Sequence, residues 1–131
     1  MKLGNDIILK LLDTSAVIGL LRGEEEIEEL VTQEDETLGT CFPVLCELYR
    51  GTRLARKTEK GEKEVESLLN ELENLEAGDE AAKKVAVLKE KYPEIKTFDL
   101  MIAGVCIANN AEIITGDKDF EKIDELDTQL I

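Results

Sequence analysis

A chain of 131 residues, 43% hydrophobic and 35% charged, has the size and balance of one folded domain around one core, and 4% aromatics with no tryptophan make that core aliphatic. Sixteen basic against 30 acidic residues leave a net charge of −14, which opposes nucleic acid at long range unless cations or a local basic patch intervene. With no histidine, imidazole-based zinc sites, histidine general bases and Ser-His-Asp or Cys-His catalysis are excluded, so any chemistry runs on carboxylates, hydroxyls, lysine, tyrosine or a bound metal.

The first residues, MKLGNDIILKLLD, lack the long apolar core and cleavage site of a signal peptide. No later run approaches the ~18 apolar residues that span a bilayer, so a cytoplasmic location and no membrane contact are expected. Cys41, Cys46 and Cys106 form no C-x-x-C pair and lie in apolar surroundings, as reduced core residues would.

Ile7 to Ser15, IILKLLDTS, reads as the central strand of a parallel sheet: an apolar run that stops at Asp13 and two hydroxyls. Ala16 to Leu21 resumes as a helix that Thr14 or Ser15 would cap. EEEIEELV, with Ile27, Leu30 and Val31 at helical spacing, predicts a short amphipathic helix, and Thr37 to Phe42 a second strand. Pro43 suits the first turn of the next helix, PVLCELYRGTRLA. From Thr58 to Leu75 the stripe Val65, Leu68, Leu69, Leu72 and Leu75 predicts one long helix, with a brief strand at Leu75 to Gly78. Asp79 then caps DEAAKKVAVLKEKY, whose apolar stripe is Ala82, Val85, Ala86 and Leu88. Thr97 caps FDLMIAGVCIANN, a helix apolar on nearly every side and therefore buried. AEIIT, GDKDFEKI and DTQLI follow as strand, turn with short helix, and edge strand. Strands separated by helices call for right-handed crossovers and a parallel sheet covered on both faces, an α/β fold.

Most of the 30 acids belong to solvated helix faces, but four are placed differently. Asp13 and Asp117 each end a strand, where open parallel sheets gather ligands. Glu47 shares a helical stripe with Val44, Gly51 and Leu54, which predicts a buried carboxylate needing a cation, a hydrogen-bond partner, a proton, or a salt bridge to Arg50 or Arg53. Asp99 stands in the first turn after Thr97, favoured by the helix dipole, and heads the stripe Ile102, Ala103 and Cys106. Asp119 competes with Asp117, or else caps DFEKI. If the strands ending at Asp13 and Thr115 are neighbours, Asp13, Glu47, Asp99 and Asp117 converge, and a hard divalent cation, Mg²⁺ or Mn²⁺, relieves their repulsion. Such a site suits metal-assisted hydrolysis, with Thr14, Ser15, Thr115 and Asp119 holding waters or carboxylates behind it.

LLDTSAV around Asp13, CELYRG around Glu47, FDLMIAG around Asp99 and TGDKDFEKI around Asp117, in this order over nearly the whole chain, resemble the PIN domain family, and within it the VapC-type toxin ribonucleases. The resemblance implies a three-layer α/β/α sandwich, an acidic pocket of Asp13, Glu47, Asp99 and Asp117 with Asp13 and Asp99 as direct ligands, and RNA cleavage dependent on Mg²⁺ or Mn²⁺. It further implies a homodimer, for which Thr58 to Leu75 offers a surface, and a cognate antitoxin as partner. Ser15 stands where many relatives have asparagine. Arg50, Arg53, Arg56, Lys57 and Lys60 are the candidates for contacting the RNA backbone in so acidic a chain. Two other readings are a haloacid-dehalogenase-like phosphatase with Asp13 as nucleophile, in which a second aspartate is wanted where Ser15 stands, and a non-catalytic PIN-like interaction module.

Overall fold

The computed structural model describes residues 8–31, 36–55 and 58–131. Ile7, Arg56 and Lys57 lie outside the described residues. The strands are β1 (Ile8–Leu12), β2 (Glu36–Thr40), β3 (Glu73–Asn74), β4 (Glu112–Thr115) and β5 (Thr128–Leu130). The helices are α1 (Thr14–Leu21), α2 (Glu25–Val31), α3 (Phe42–Leu54), α4 (Thr58–Leu69), α5 (Gly78–Lys91) and α6 (Thr97–Asn109), with a 3-10 helix at Lys118–Lys122.

All strand pairs are parallel and the sheet order is β3-β2-β1-β4-β5. The chain steps outward from β1 to β3 and then returns past β1 to β4. Right-handed crossovers therefore put α1 to α4 on one face and α5 and α6 on the other, the three-layer α/β/α arrangement. The order reverses between β1 and β4, and ligands of open parallel sheets bind at that switch point, beyond the carboxyl ends of the strands. Leu12 pairs with Ile114 in register, so the residues just beyond, Asp13 and Thr115, emerge side by side there. Leu11, Leu12, Ile113 and Ile114 are wholly buried because helices cover both faces.

Several boundaries differ from the sequence expectation, each for a local reason. Asp13, not Thr14 or Ser15, caps α1: its Oδ1 accepts from the Ala16 amide at 3.0 Å. β2 ends at Thr40, because Cys41 is the extended cap residue of α3 and the helix begins at Phe42, which is 68% exposed. α4 ends at Leu69; two tight turns, Glu71 N to Leu68 O and Leu72 N to Leu69 O, release the chain to pair with β2 at Glu73–Asn74 rather than at Leu75 to Gly78. Gly39 makes that approach possible, since a Cβ there would lie 3.0 Å from Leu75 Cγ and 3.2 Å from Glu73 O.

α5 buries the stripe Ala81, Val85, Leu88 and Tyr92, while Ala82 and Ala86 face solvent. Ala77 is its cap residue, and Asp79 sits within the first turn. Lys96 rather than Thr97 precedes α6 as cap residue, and Asp117 rather than Asp119 caps the 3-10 helix. Asn110, at φ 58°, closes α6 in the left-handed conformation that asparagine tolerates. Cys41 and Cys106 are buried thiols, Cys41 pushed up to about 11 by burial and Cys106 pushed up further by the same cause, but Cys46 is exposed, so it is no core residue. Among the described residues no helix is long and apolar enough to cross a membrane.

The α5–α6 contact turns on Gly104, where a Cβ would lie 2.6 Å from Val85 Cγ2 and 3.0 Å from the Ala81 carbonyl oxygen. Alanine gains about 1 kcal/mol in helix propensity. The backbone carbonyl of a packed helix cannot yield, however, and overpacking costs about 1–3 kcal/mol. Gly104→Ala is therefore expected to lower stability by about 1 kcal/mol in urea denaturation, against its propensity.

Candidate metal centre

Asp13 is 5% exposed and fully engaged at the end of β1. Its Oδ1 accepts from Ser15 Oγ at 2.6 Å and from the Ala16 amide, and its Oδ2 accepts from Thr115 Oγ1 at 2.5 Å. Burial raises its pKa, the bonds from Ser15, Thr115 and Ala16 oppose the rise, and the charge of Asp117 adds to it. The two hydroxyls also tie the strand ends together. Thr115 Oγ1 accepts from the Asp117 amide at 3.0 Å, and Ser15 Oγ accepts from the Gly116 amide at 2.9 Å. Asp13, Ser15 and Thr115 thus hold the turn after β4 in place.

That turn presents the carboxylates. Asp117 Oδ1 accepts from the Asp119 amide at 2.9 Å, folding the turn so that both acids face α6. Asp99, in the first turn of α6, completes the group: Asp99, Asp117 and Asp119 each bring one carboxylate oxygen to within 4.8 Å of the others. Burial raises the pKa of Asp99 most, the charge of Asp117 next, and Glu47 and Asp119 add to it, while Lys96 opposes. Asp117 is therefore electrostatically linked to both Asp13 and Asp99.

Asp117 and Asp119 stand here together, although the sequence posed them as alternatives. Asp13 is adjacent, its oxygens accepting from Ser15, Ala16 and Thr115. Glu47 is exposed, which corrects the expectation of a buried carboxylate: α3 turns Val44 and Leu48 inward and leaves Glu47 and Leu54 on the outer side. Counting apolar neighbours three and four residues away did not show which side of the stripe meets the sheet. Glu47 Oε1 accepts from Thr14 Oγ1 at 2.6 Å, so a hydroxyl rather than Arg50 or Arg53 steers it. Arg53 instead pairs with Glu62 at 3.8 Å and Lys60 with Glu64 at 3.9 Å, and Arg50 is exposed. The sequence reading missed Lys122, whose Nζ lies 2.9 Å from Asp119 Oδ1; its three-residue spacing from Asp119 was the available signal.

Three carboxylate oxygens, close together and partly open to solvent, fit a hard cation of the Mg²⁺ or Mn²⁺ type.

The PIN domain family model matches residues 10–126, and the chain belongs to that family, as the four acidic motifs led one to expect. Among solved structures, it is similar to a chain of VapBC2 from Rickettsia felis, crystallised with a DNA fragment from the promoter, at 22% identity over 95% of this chain and 99% of the other, with a TM-score of 0.86. VapBC-1 from nontypeable Haemophilus influenzae gives 22% identity, coverage of 94% and 98%, and a TM-score of 0.82. VapBC-5 from Mycobacterium tuberculosis, a member of the VapBC family of toxin-antitoxin systems, gives 27%, 94%, 98% and 0.70. Comparison with curated proteins gave no match.

Proposed function

We propose that this PIN domain is a metal-dependent endoribonuclease that hydrolyses RNA phosphodiesters as the toxin of a VapC-type toxin–antitoxin pair. The observation that carries the reading is the convergence of Asp99, Asp117 and Asp119 at the switch point of the sheet, braced by Asp13. These three residues would hold Mg²⁺ or Mn²⁺, which supplies charge neutralisation at the phosphodiester and an activated water. Asp13, with Ser15 and Thr115, fixes the turn that carries Asp117 and Asp119. Glu47, exposed and aimed by Thr14, is the carboxylate free to orient a water. The phosphatase reading is disfavoured because Ser15 stands where it wants a second aspartate.

The solved relatives are VapBC complexes, which supports an antitoxin partner for this chain. A groove of about 420 Å³ beside Glu47, with Ile18, Leu21, Leu48 and Val65 in its wall and Glu47 and Glu64 among its acids, suits an amphipathic segment bearing basic residues. For the homodimer, α4 is a poor surface, since Val65 is buried and Leu68 and Leu69 are half-buried against the core. The apolar cleft of about 360 Å³ that includes Phe42, Pro43, Val85 and Met101 is better suited.

RNA digestion in Mn²⁺ tests the reading. Cleavage is expected with Mn²⁺, to be lost with EDTA and to return when excess Mn²⁺ is added. Cleavage indifferent to the chelator would overturn the assignment.

A further inference from the structure

Lys122 and Asp119 lie three residues apart on a 3-10 helix, where such positions eclipse, so the backbone itself sets the ammonium on the carboxylate. Both side chains are open to water, at 58% and 43% exposure, so the ammonium can leave without a desolvation barrier. Glu94 and Asp117 also act on the charge of Lys122.

We propose that Lys122 is a built-in competitor of the divalent cation: it sits on Asp119 in the metal-free protein, is displaced when a cation binds, and then serves as the local positive charge for a substrate phosphate oxygen. The inference rests on reading the acidic cluster as a divalent metal site. Its logic is charge accounting. Three carboxylates against one dication leave a net negative site, which repels a phosphodiester, in a chain already at −14. A lysine at the mouth supplies the balancing charge, and once a cation has taken Asp119 its ammonium is free to face a phosphate oxygen. Lys122 is thus a positioning residue that acts in opposite directions on metal and on RNA.

The test measures Mn²⁺ binding by electron paramagnetic resonance at low ionic strength, in the intact protein without substrate. Breaking an exposed pair of this kind shifts an equilibrium by about two- to fivefold, so Lys122→Gln is expected to tighten Mn²⁺ binding about threefold. Lys122→Arg, which keeps the charge, should bind Mn²⁺ as the wild type does. In an Asp119→Asn background the gain from Lys122→Gln should vanish, because nothing is left to compete for, and in ~0.5 M salt it should shrink. With RNA, Lys122→Gln should raise KM while Mn²⁺ binding tightens, a divergence that a merely structural pair would not produce. Unchanged or weaker Mn²⁺ binding in Lys122→Gln, beside a wild type that binds Mn²⁺ through Asp99, overturns this inference alone. A wild type whose Mn²⁺ signal is absent, or indifferent to Asp99→Asn, overturns both this inference and the metal site beneath it.

Discussion

Asp99→Asn is expected to lower RNA cleavage on the order of a hundredfold or more while making the metal-free protein more stable. The loss follows from removing one of three charged oxygen donors, since charge stabilisation by a bound cation is worth several kcal/mol. The gain follows from the pKa of Asp99, which burial and then the charge of Asp117 raise above its ordinary value. A carboxyl so shifted contributes its stability below the ordinary range, where it is protonated in both states, and loses it as pH rises through the folded value. Wherever Asp99 is ionised the metal-free fold carries the penalty, and the neutral amide carries none. Thermal unfolding in EDTA at pH 7 should therefore show Asp99→Asn melting above the wild type. Lowering the pH through the raised value should close that gap. Added Mn²⁺ should raise the melting temperature of the wild type and not of the variant. A variant less stable than the wild type in EDTA would mean that Asp99 is held by structural bonds rather than strained for a ligand.

Thr115→Val is expected to cost about 2–4 kcal/mol at neutral pH, more than its change in shape warrants. Thr115 is wholly buried, and its hydroxyl donates to Asp13 Oδ2 while accepting from the Asp117 amide. Valine keeps the volume and removes both bonds, leaving one oxygen of a buried carboxylate without a donor. The pKa of Asp13, already raised by burial, then rises further because a bond that opposes the shift is gone. The deficit is therefore largest above the new folded pKa and narrows as the pH falls and Asp13 takes up a proton. Urea denaturation of Thr115→Val at neutral and mildly acidic pH should show that narrowing. Thr115→Ser, which retains the hydroxyl, should lose far less at either pH. Equal losses for valine and serine would indicate that methyl packing, not the bond to Asp13, is what matters.

The order of strands and helices was readable because each element carries its own periodicity. Asp13, Asp99 and Asp117 stood out because each sits where an apolar element begins or ends, a position that topology converts into proximity. Glu47 was misjudged because helical spacing identifies a stripe without saying which edge of it faces the sheet. Asp119 was undervalued because its place depends on the Asp117 side chain bending the turn, a bond between two acids that no propensity announces. In α5 Val85 and Leu88 face inward as their spacing predicts, but Ala81 takes the place of Ala82 and Ala86 against Gly104.

The sequence by itself determined a parallel α/β fold with an aliphatic core, a chemistry without histidine, and an acid at the end of each element that meets at the switch point. These follow from composition and local pattern, which act over a few residues. Only the tertiary structure decided that Asp99, Asp117 and Asp119 form the cluster while Asp13 braces it, and that Glu47 answers to Thr14. Those outcomes depend on which strands are neighbours and on hydroxyls a hundred residues apart, and distance in space is not written in any short stretch of chain.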